Sequence, residues 1–292
     1  MFPASFDYRR ARSIDEALGI LSQYGGDARI LAGGQSLIPA MRYRLARPAV
    51  LVDINPIDDL SYIIEDGDTL RIGARTRDSD LERWKALAGY PLIADAAVLV
   101  ADPVVRQMGT IVGSLCHNDP AGDWPVVALT GRASLVVRGA NGERTIPIDD
   151  FLVDSYATAV ADGEMATEVR FPRPGPGSAG AYYKMERKVG DFATAAAGTR
   201  VTLAADGTIA DAAIAIGAAG PKALRVAAAE ALLRGQKPSK EAVRAAADAA
   251  RALADPTADN RGSAEYKKEM AAVLVERALL KTLERLGVGG LR

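Results

Sequence analysis

The spacing of apolar positions changes along the chain, and each change predicts an element. Ile14, Ala17, Leu18 and Leu21 fall on one helical face behind a capping box of Ser13 and Glu16, and Gly25-Gly26 ends that helix. The run Ala28 to Ala32 then predicts a strand, Gly33-Gly34 a tight loop, Ser36 to Leu45 a helix, and Val50 to Ile54 another strand. Pro39 fits only the first turn of a helix, which sets its start near Ser36. From Tyr62 the pattern becomes mixed. YIIEDGDTLRIGA predicts two strands about an Asp-Gly turn, helical segments follow near 79 to 88 and 91 to 100, and Val126 to Thr130 opens another helix. ASLVVRGANGERTIPI predicts a hairpin about Asn141-Gly142.

Residues 172 to 180, PRPGPGSAG, hold three prolines and three glycines and predict a linker. Beyond it, strand-like segments at 181 to 189, 192 to 204 and 208 to 217 precede Ala-rich helical stretches near 222 to 234, 239 to 254 and 263 to 286. That order predicts a three-stranded antiparallel sheet with helices. The expected class is α+β, in three parts: residues 1–57, 58–175 and 176–292.

Composition narrows the function. A chain of 292 residues with 49% hydrophobic content can build a substantial core. Lys and Arg total 36 against 37 Asp and Glu, so a net charge of -1 offers no field to gather nucleic acid or an anionic membrane. Cys116 is the single cysteine, so no internal disulfide and no cysteine-held zinc or iron-sulfur centre is expected. The N-terminus lacks the apolar run of a signal peptide, and no 18-residue apolar stretch occurs, so a cytoplasmic protein without an integral membrane segment is expected.

The chemistry is concentrated in two glycine-rich loops. Gly33-Gly34 followed by Ser36 permits two readings: a turn with an N-cap, or a cradle of backbone N–H groups for a phosphate at a helix start. The spacing is neither GxGxxG nor a P-loop. A second loop, MGTIVGSLCHNDPAGDWP at 108 to 125, supplies Thr110, Gly113, Ser114 and Asp123. Two such loops suggest one elongated, diphosphate-bridged cofactor.

AGGQS at 32 to 36, DPVVRQMGTIVGSLCHNDPAGDWP at 102 to 125 and YYKMERKVGDFATAA at 182 to 196 together resemble the FAD-binding medium subunit of the molybdenum hydroxylases. That is the xanthine dehydrogenase and aerobic carbon monoxide dehydrogenase group, and the similarity runs nearly end to end. The resemblance implies a two-subdomain FAD-binding fold of the vanillyl-alcohol oxidase type, residues 1–57 and 58–175, with a C-terminal domain at 176–292. It carries diphosphate binding onto Ala32, Gly33, Gly34, Gln35 and Ser36, and further FAD contacts onto Thr110, Gly113, Ser114 and Asp123. Lys184 matches a lysine near the flavin in relatives; on its own it reads as a solvated surface lysine. Val112 stands where many relatives have glycine, Ser114 where they have asparagine, and Phe192 where they can place tyrosine.

The function so implied is electron transfer. Substrate is oxidised at molybdenum on a large subunit, electrons cross iron-sulfur clusters of a small subunit, and FAD on this chain passes them to NAD, a quinone, a cytochrome or oxygen. The expected assembly is a dimer of heterotrimers. Carbon monoxide, an N-heteroaromatic, a purine or an aldehyde are the substrate classes. The alternatives are a self-contained flavin oxidase and a non-catalytic nucleotide-binding scaffold. Adjacent Cys116 and His117 point to opposite faces if extended, which argues against a nucleophile–base dyad. Arg42, Arg44 and Arg47 read equally as a solvated face or a partner contact, and Trp84 and Trp124 as core packing or interface anchors.

Overall fold

The computed structural model describes residues 2–291. The first part contains β1 (Asp7–Arg10), α1 (Ile14–Tyr24), β2 (Ala28–Leu31), α2 (Leu37–Arg42) and β3 (Val50–Asp53). Its strands form a parallel sheet in the order β1-β3-β2, each connection returning through a helix. Ser13 caps α1 as the sequence predicts, its hydroxyl accepting from the Glu16 N–H at 3.1 Å. Ser36 precedes α2 without capping it through its side chain, and α2 stops at Arg42 rather than Leu45.

The second part begins with the hairpin β4 (Ile63–Asp66) and β5 (Thr69–Gly73). Five helices follow: α3 (Asp78–Glu82), α4 (Pro91–Ala97), α5 (Pro103–Arg106), α6 (Ile111–His117) and α7 (Asp123–Gly131). The chain then forms β6 (Ser134–Gly139), β7 (Gly142–Pro147), α8 (Ile148–Phe151), the small pair β8 (Leu152–Asp154) and β9 (Ala157–Thr158), and β10 (Met165–Pro172). The sheet is antiparallel, ordered β4-β5-β10-β6-β7. The helix expected over 79 to 88 is broken: α3 ends at Glu82 and a 3₁₀ turn occupies Lys85–Gly89.

The last part consists of β11 (Ser178–Met185), β12 (Ala195–Leu203), β13 (Ile209–Gly217), β14 (Leu224–Arg225), α9 (Ala227–Leu233), α10 (Lys240–Leu253) and α11 (Ala264–Arg285). Its sheet has four strands, β11-β12-β13-β14, which corrects the three-stranded expectation. The added strand is two residues long and lies inside the stretch expected to be helical from 222. The linker is also shorter than expected, because β10 reaches Pro172 and β11 starts at Ser178.

Two apolar cores result. One takes in residues of the first two sheets together with α7, whose nine residues are all buried, Trp124 among them. The other lies between the four-stranded sheet and α9, α10 and α11. The seam between α4 and α11 is closed by Asp95. Its carboxylate accepts from Arg285 at 2.7 and 2.8 Å, from Lys281 at 3.1 Å and from the Tyr182 N–H at 3.1 Å. Burial alone would raise its pKa, but these donors outweigh burial and hold the carboxyl below its ordinary value.

Asp95→Ala leaves two cations and a backbone N–H without their acceptor. Urea unfolding at pH 7 should show a loss of about 2–3 kcal/mol with an unchanged m-value. Because the native pKa is depressed, the wild-type advantage is present above the ordinary carboxylate pKa and disappears as pH falls through the native one. Equal stabilities at pH 7 would show that sheet packing alone closes the seam.

Candidate functional site

The two glycine-rich loops lie back to back. A Cβ on Gly33 would run into the carbonyl oxygen of Met108 and come within 3.0 Å of Gly109 Cα, so only glycine lets the backbones touch. Gly34 has φ +73°, a conformation that L side chains disfavour. Among the described residues, the N–H groups of Gly33, Gly34, Gln35 and Ser36 make no hydrogen bond. Four successive donors are thereby left at a partly exposed turn.

Two residues that sequence reasoning missed tie the loops together. Asn55 Nδ2 donates to the Ala32 carbonyl at 3.0 Å, and Arg77 donates to Asn55 Oδ1 and to the Met108 carbonyl, each at 2.5 Å. Beneath the second loop, the Asp78 N–H donates to the Gly109 carbonyl at 2.9 Å, while Asp78 Oδ1 accepts from Trp124 Nε1 at 2.9 Å. Trp124 is therefore core packing with a polar tether. Thr110 caps α6, its hydroxyl accepting from the Gly113 N–H at 3.2 Å and keeping its own proton for another acceptor. Val112 is buried in the core, so its side chain does not cover the loop where a relative's glycine would lie. Gly113 and Ser114 lie on the more open side of α6.

Asp123 and Lys184 meet each other. Asp123 opens α7, and its carboxylate accepts from Tyr182 Oη at 2.6 Å and Lys184 Nζ at 3.2 Å. Lys184 also donates to the Leu99 carbonyl at 2.9 Å and faces Glu186 Oε2 at 3.2 Å. Its side chain is 1% exposed, which corrects the reading of a solvated surface lysine. Tyr182, Lys184 and Glu186 alternate along β11 and its end, a period-2 signal of one strand face. Burial raises the Asp123 pKa, against the opposing pull of Lys184 and Tyr182. Trp124, next to Asp123, connects this cluster through Asp78 to the second loop.

The remaining candidates separate from the site chemistry. Burial pushes the Cys116 thiol up to about 12, while His117 Nε2 faces Asp119 at 3.9 Å and its ring lies 5.1 Å from that of Tyr156. No Cys116–His117 dyad forms among the described residues. Phe192 is half exposed under the Arg261 guanidinium, 5.9 Å from the ring centroid. Among the described residues no cluster of His, Cys, Asp and Glu suits a metal, and no helix is long and apolar enough to cross a membrane.

Two family models match this chain in succession. The FAD binding domain in molybdopterin dehydrogenase matches residues 4–174, and the CO dehydrogenase flavoprotein C-terminal domain matches residues 180–282. The chain belongs to the FAD-binding medium-subunit family of the molybdenum hydroxylases. It is 43% identical to the carbon monoxide dehydrogenase medium chain of Hydrogenophaga pseudoflava, over 96% of this chain and 97% of that one. It is 39% identical to the 6-hydroxypseudooxynicotine dehydrogenase complex subunit alpha of Paenarthrobacter nicotinovorans, over 98% and 97%. A structure of the Hydrogenophaga pseudoflava carbon monoxide dehydrogenase, lacking the Mo-pyranopterin moiety, superimposes with a TM-score of 0.95 at 44% identity, over 98% of this chain and 99% of that one.

FAD is the cofactor of this family, and the residues present fit it. A diphosphate needs closely spaced donors without side chains in the way, which the unbonded N–H groups of Gly33 to Ser36 provide. Asp123 retains lone pairs after accepting from Tyr182 and Lys184, so it can still accept from a ligand hydroxyl or N–H.

Asp78 gives a pH test of the layer beneath the loops. Burial pushes its carboxyl up to about 7, so the folded chain holds a proton that the unfolded chain loses near pH 4. Its contribution to stability is full below pH 4 and is lost as pH rises through about 7. Asp78→Asn keeps the acceptor for Trp124 and cannot ionise. Thermal melts between pH 5 and 8 should fall less steeply for the variant, with about 2–3 kcal/mol of relative gain across that range. Parallel profiles would show that Asp78 titrates normally.

Proposed function

We propose that this chain is the FAD-carrying electron-transfer subunit of a three-subunit molybdenum hydroxylase, assembled as a dimer of heterotrimers in the cytoplasm. Its partners are a large subunit with the molybdenum cofactor and a small subunit with iron-sulfur clusters. The observation that carries the reading is the run of four unbonded backbone N–H groups at Gly33 to Ser36, pressed against the second glycine-rich loop. In this proposal residues 1–57 and 58–175 are the two FAD-binding subdomains, arranged as in the vanillyl-alcohol oxidase type, and residues 176–292 are the C-terminal domain.

The chemistry supplied by bound FAD is electron uptake and release; binding, orientation and electrostatics fall to the protein. Ala32, Gly33, Gly34, Gln35 and Ser36 hold the diphosphate through backbone N–H groups. Thr110, Gly113 and Ser114 add the second set of contacts, and Asp123 accepts from a ribityl hydroxyl or a ring N–H. With Leu99, Asp123 and Glu186 around its ammonium, Lys184 acts on the ring through its charge rather than as a freely available donor. Substrate choice among carbon monoxide, N-heteroaromatics, purines and aldehydes belongs to the molybdenum subunit. The scaffold alternative rested on Val112 and Ser114 in the second loop, and the inward packing of Val112 weakens the first of these grounds.

The purified chain should show flavin absorption at near-stoichiometric occupancy. Gly33→Ala should separate the loops and reduce FAD retention about tenfold or more, whereas Gly19→Ala, in open space on α1, should leave it unchanged. Undiminished FAD in a folded Gly33→Ala chain would refute the assignment of the first loop. Purification of the tagged chain from its host should recover iron and molybdenum with it; a chain that purifies alone and is reduced by an alcohol or amine would support the self-contained oxidase instead.

A further inference from the structure

The Lys184 ammonium is surrounded by more negative charge than it needs. It donates to the Leu99 carbonyl at 2.9 Å and to Asp123 Oδ2 at 3.2 Å, and Asp123 is itself held by Tyr182 Oη at 2.6 Å. That set already balances one positive charge with one negative and partners a side chain that is 1% exposed. Glu186 is then surplus. Its Oε2 lies at ion-pair distance from the ammonium, 3.2 Å, yet is closed off from solvent and accepts no hydrogen bond.

Two features set Glu186 apart from an ordinary carboxylate at a strand end. The first is that orphaned oxygen. A shielded carboxylate oxygen without a donor costs stability, and nearly all buried polar atoms in folded chains are bonded. Asp191, a few residues on, shows the ordinary solution: it accepts from Arg261 at 2.9 Å and from Arg187 at 3.1 and 3.2 Å. The second is charge. One ammonium against two carboxylates leaves a net negative charge in a region largely shielded from water. A neutral amide at 186 would keep the shape and remove both penalties, so the retained charge points to a use outside the fold.

The chemistry of the cofactor decides the use. At neutral pH a flavin that takes up two electrons with one proton gains one negative charge, so a fixed negative charge nearby opposes uptake and a fixed positive charge favours it. Lys184 and Asp123 offset each other, and the charge of Glu186 remains. We propose that Glu186 sets the reduction potential of the flavin, holding it below the value that Lys184 and Asp123 alone would give. Electrons received by this chain are thereby passed on more readily. This rests on the electron-transfer reading above, in which Lys184 acts on the ring, and it adds which residue biases the transfer toward release.

The test uses the full-length chain with its bound FAD, reduced stepwise with dithionite against redox dyes of known potential and followed by flavin absorbance. Glu186→Gln should raise the ratio of reduced to oxidised flavin about tenfold at a fixed potential, an upward shift of about 30 mV for a two-electron couple. Glu186→Asp keeps the charge and should stay near wild type, as should Asp206→Asn, an exposed carboxylate on the turn between β12 and β13. The melting temperature of Glu186→Gln should not fall, because the buried Oε2 gives up no hydrogen bond. An unchanged potential in Glu186→Gln would overturn the proposal. So would equal shifts in the Gln and Asp variants, which would make the effect one of packing, and loss of fold or of FAD in the Gln variant, which would assign Glu186 to stability. A wild-type chain that holds no flavin overturns the FAD reading itself, an outcome distinct from a flavin-loaded variant whose potential does not move.

Discussion

Contact between the Gly33 backbone and the Met108 carbonyl governs the geometry of everything around it. Two loops from different parts of the chain can share a ligand only if their donors face one space at one spacing, and this contact sets the spacing. A methyl group at Gly33 would wedge them apart. Asn55 and Arg77 hold the same junction through polar bonds, bridging the Ala32 and Met108 carbonyls. Steric permission and hydrogen bonding therefore act on one seam, and the unbonded N–H groups of Gly33 to Ser36 are its exposed product. Turns usually satisfy their own donors or leave them to water. Four in sequence, held by neighbours that are themselves bonded, form a rigid site that an anion can enter without reorganising the backbone.

The parts legible in the sequence were those whose cause is local. Long amphipathic helices follow the period of their apolar residues, and α10 and α11 lie within a residue or so of the expected spans. The Asp-Gly and Asn-Gly hairpins follow from turn chemistry, with Gly67 and Gly142 both at positive φ. Failures had tertiary causes. Asp78 is held against the second loop and Trp124 at the start of α3, and the chain breaks into a 3₁₀ turn after a short helix despite its helical pattern. β14 exists because two residues happen to pair with β13, too few to leave a period.

The site divides along the same line. Glycine-rich loops are visible because glycine is a statement about backbone, and family resemblance then supplied their ligand. Asn55, Arg77 and Asp78 were invisible because each bonds a carbonyl or N–H about twenty to thirty residues away, and no local spacing announces such a partner. Lys184, which read on its own as a surface lysine and was brought to the flavin only by the resemblance, is buried. Tyr182, Lys184 and Glu186 alternate as a polar strand face should, and a polar face reads as outward; here it faces inward, because Asp123 waits at the start of α7.

That inward cluster is hard to justify by stability alone. Taking an ammonium and two carboxylates out of water costs more than their mutual attraction commonly returns, and a well-packed apolar replacement is often as stable. Its effect on a ligand must also be weak at long range, since the carboxylates of Asp123 and Glu186 offset the charge of Lys184. What remains is direction: the ammonium is fixed by the Leu99 carbonyl and Asp123, so its field is oriented before any charge changes nearby. A preoriented dipole stabilises developing negative charge without the reorganisation that water would need. Such an arrangement is of little use to a passive nucleotide scaffold and well suited to a cofactor whose charge alternates with each electron passed.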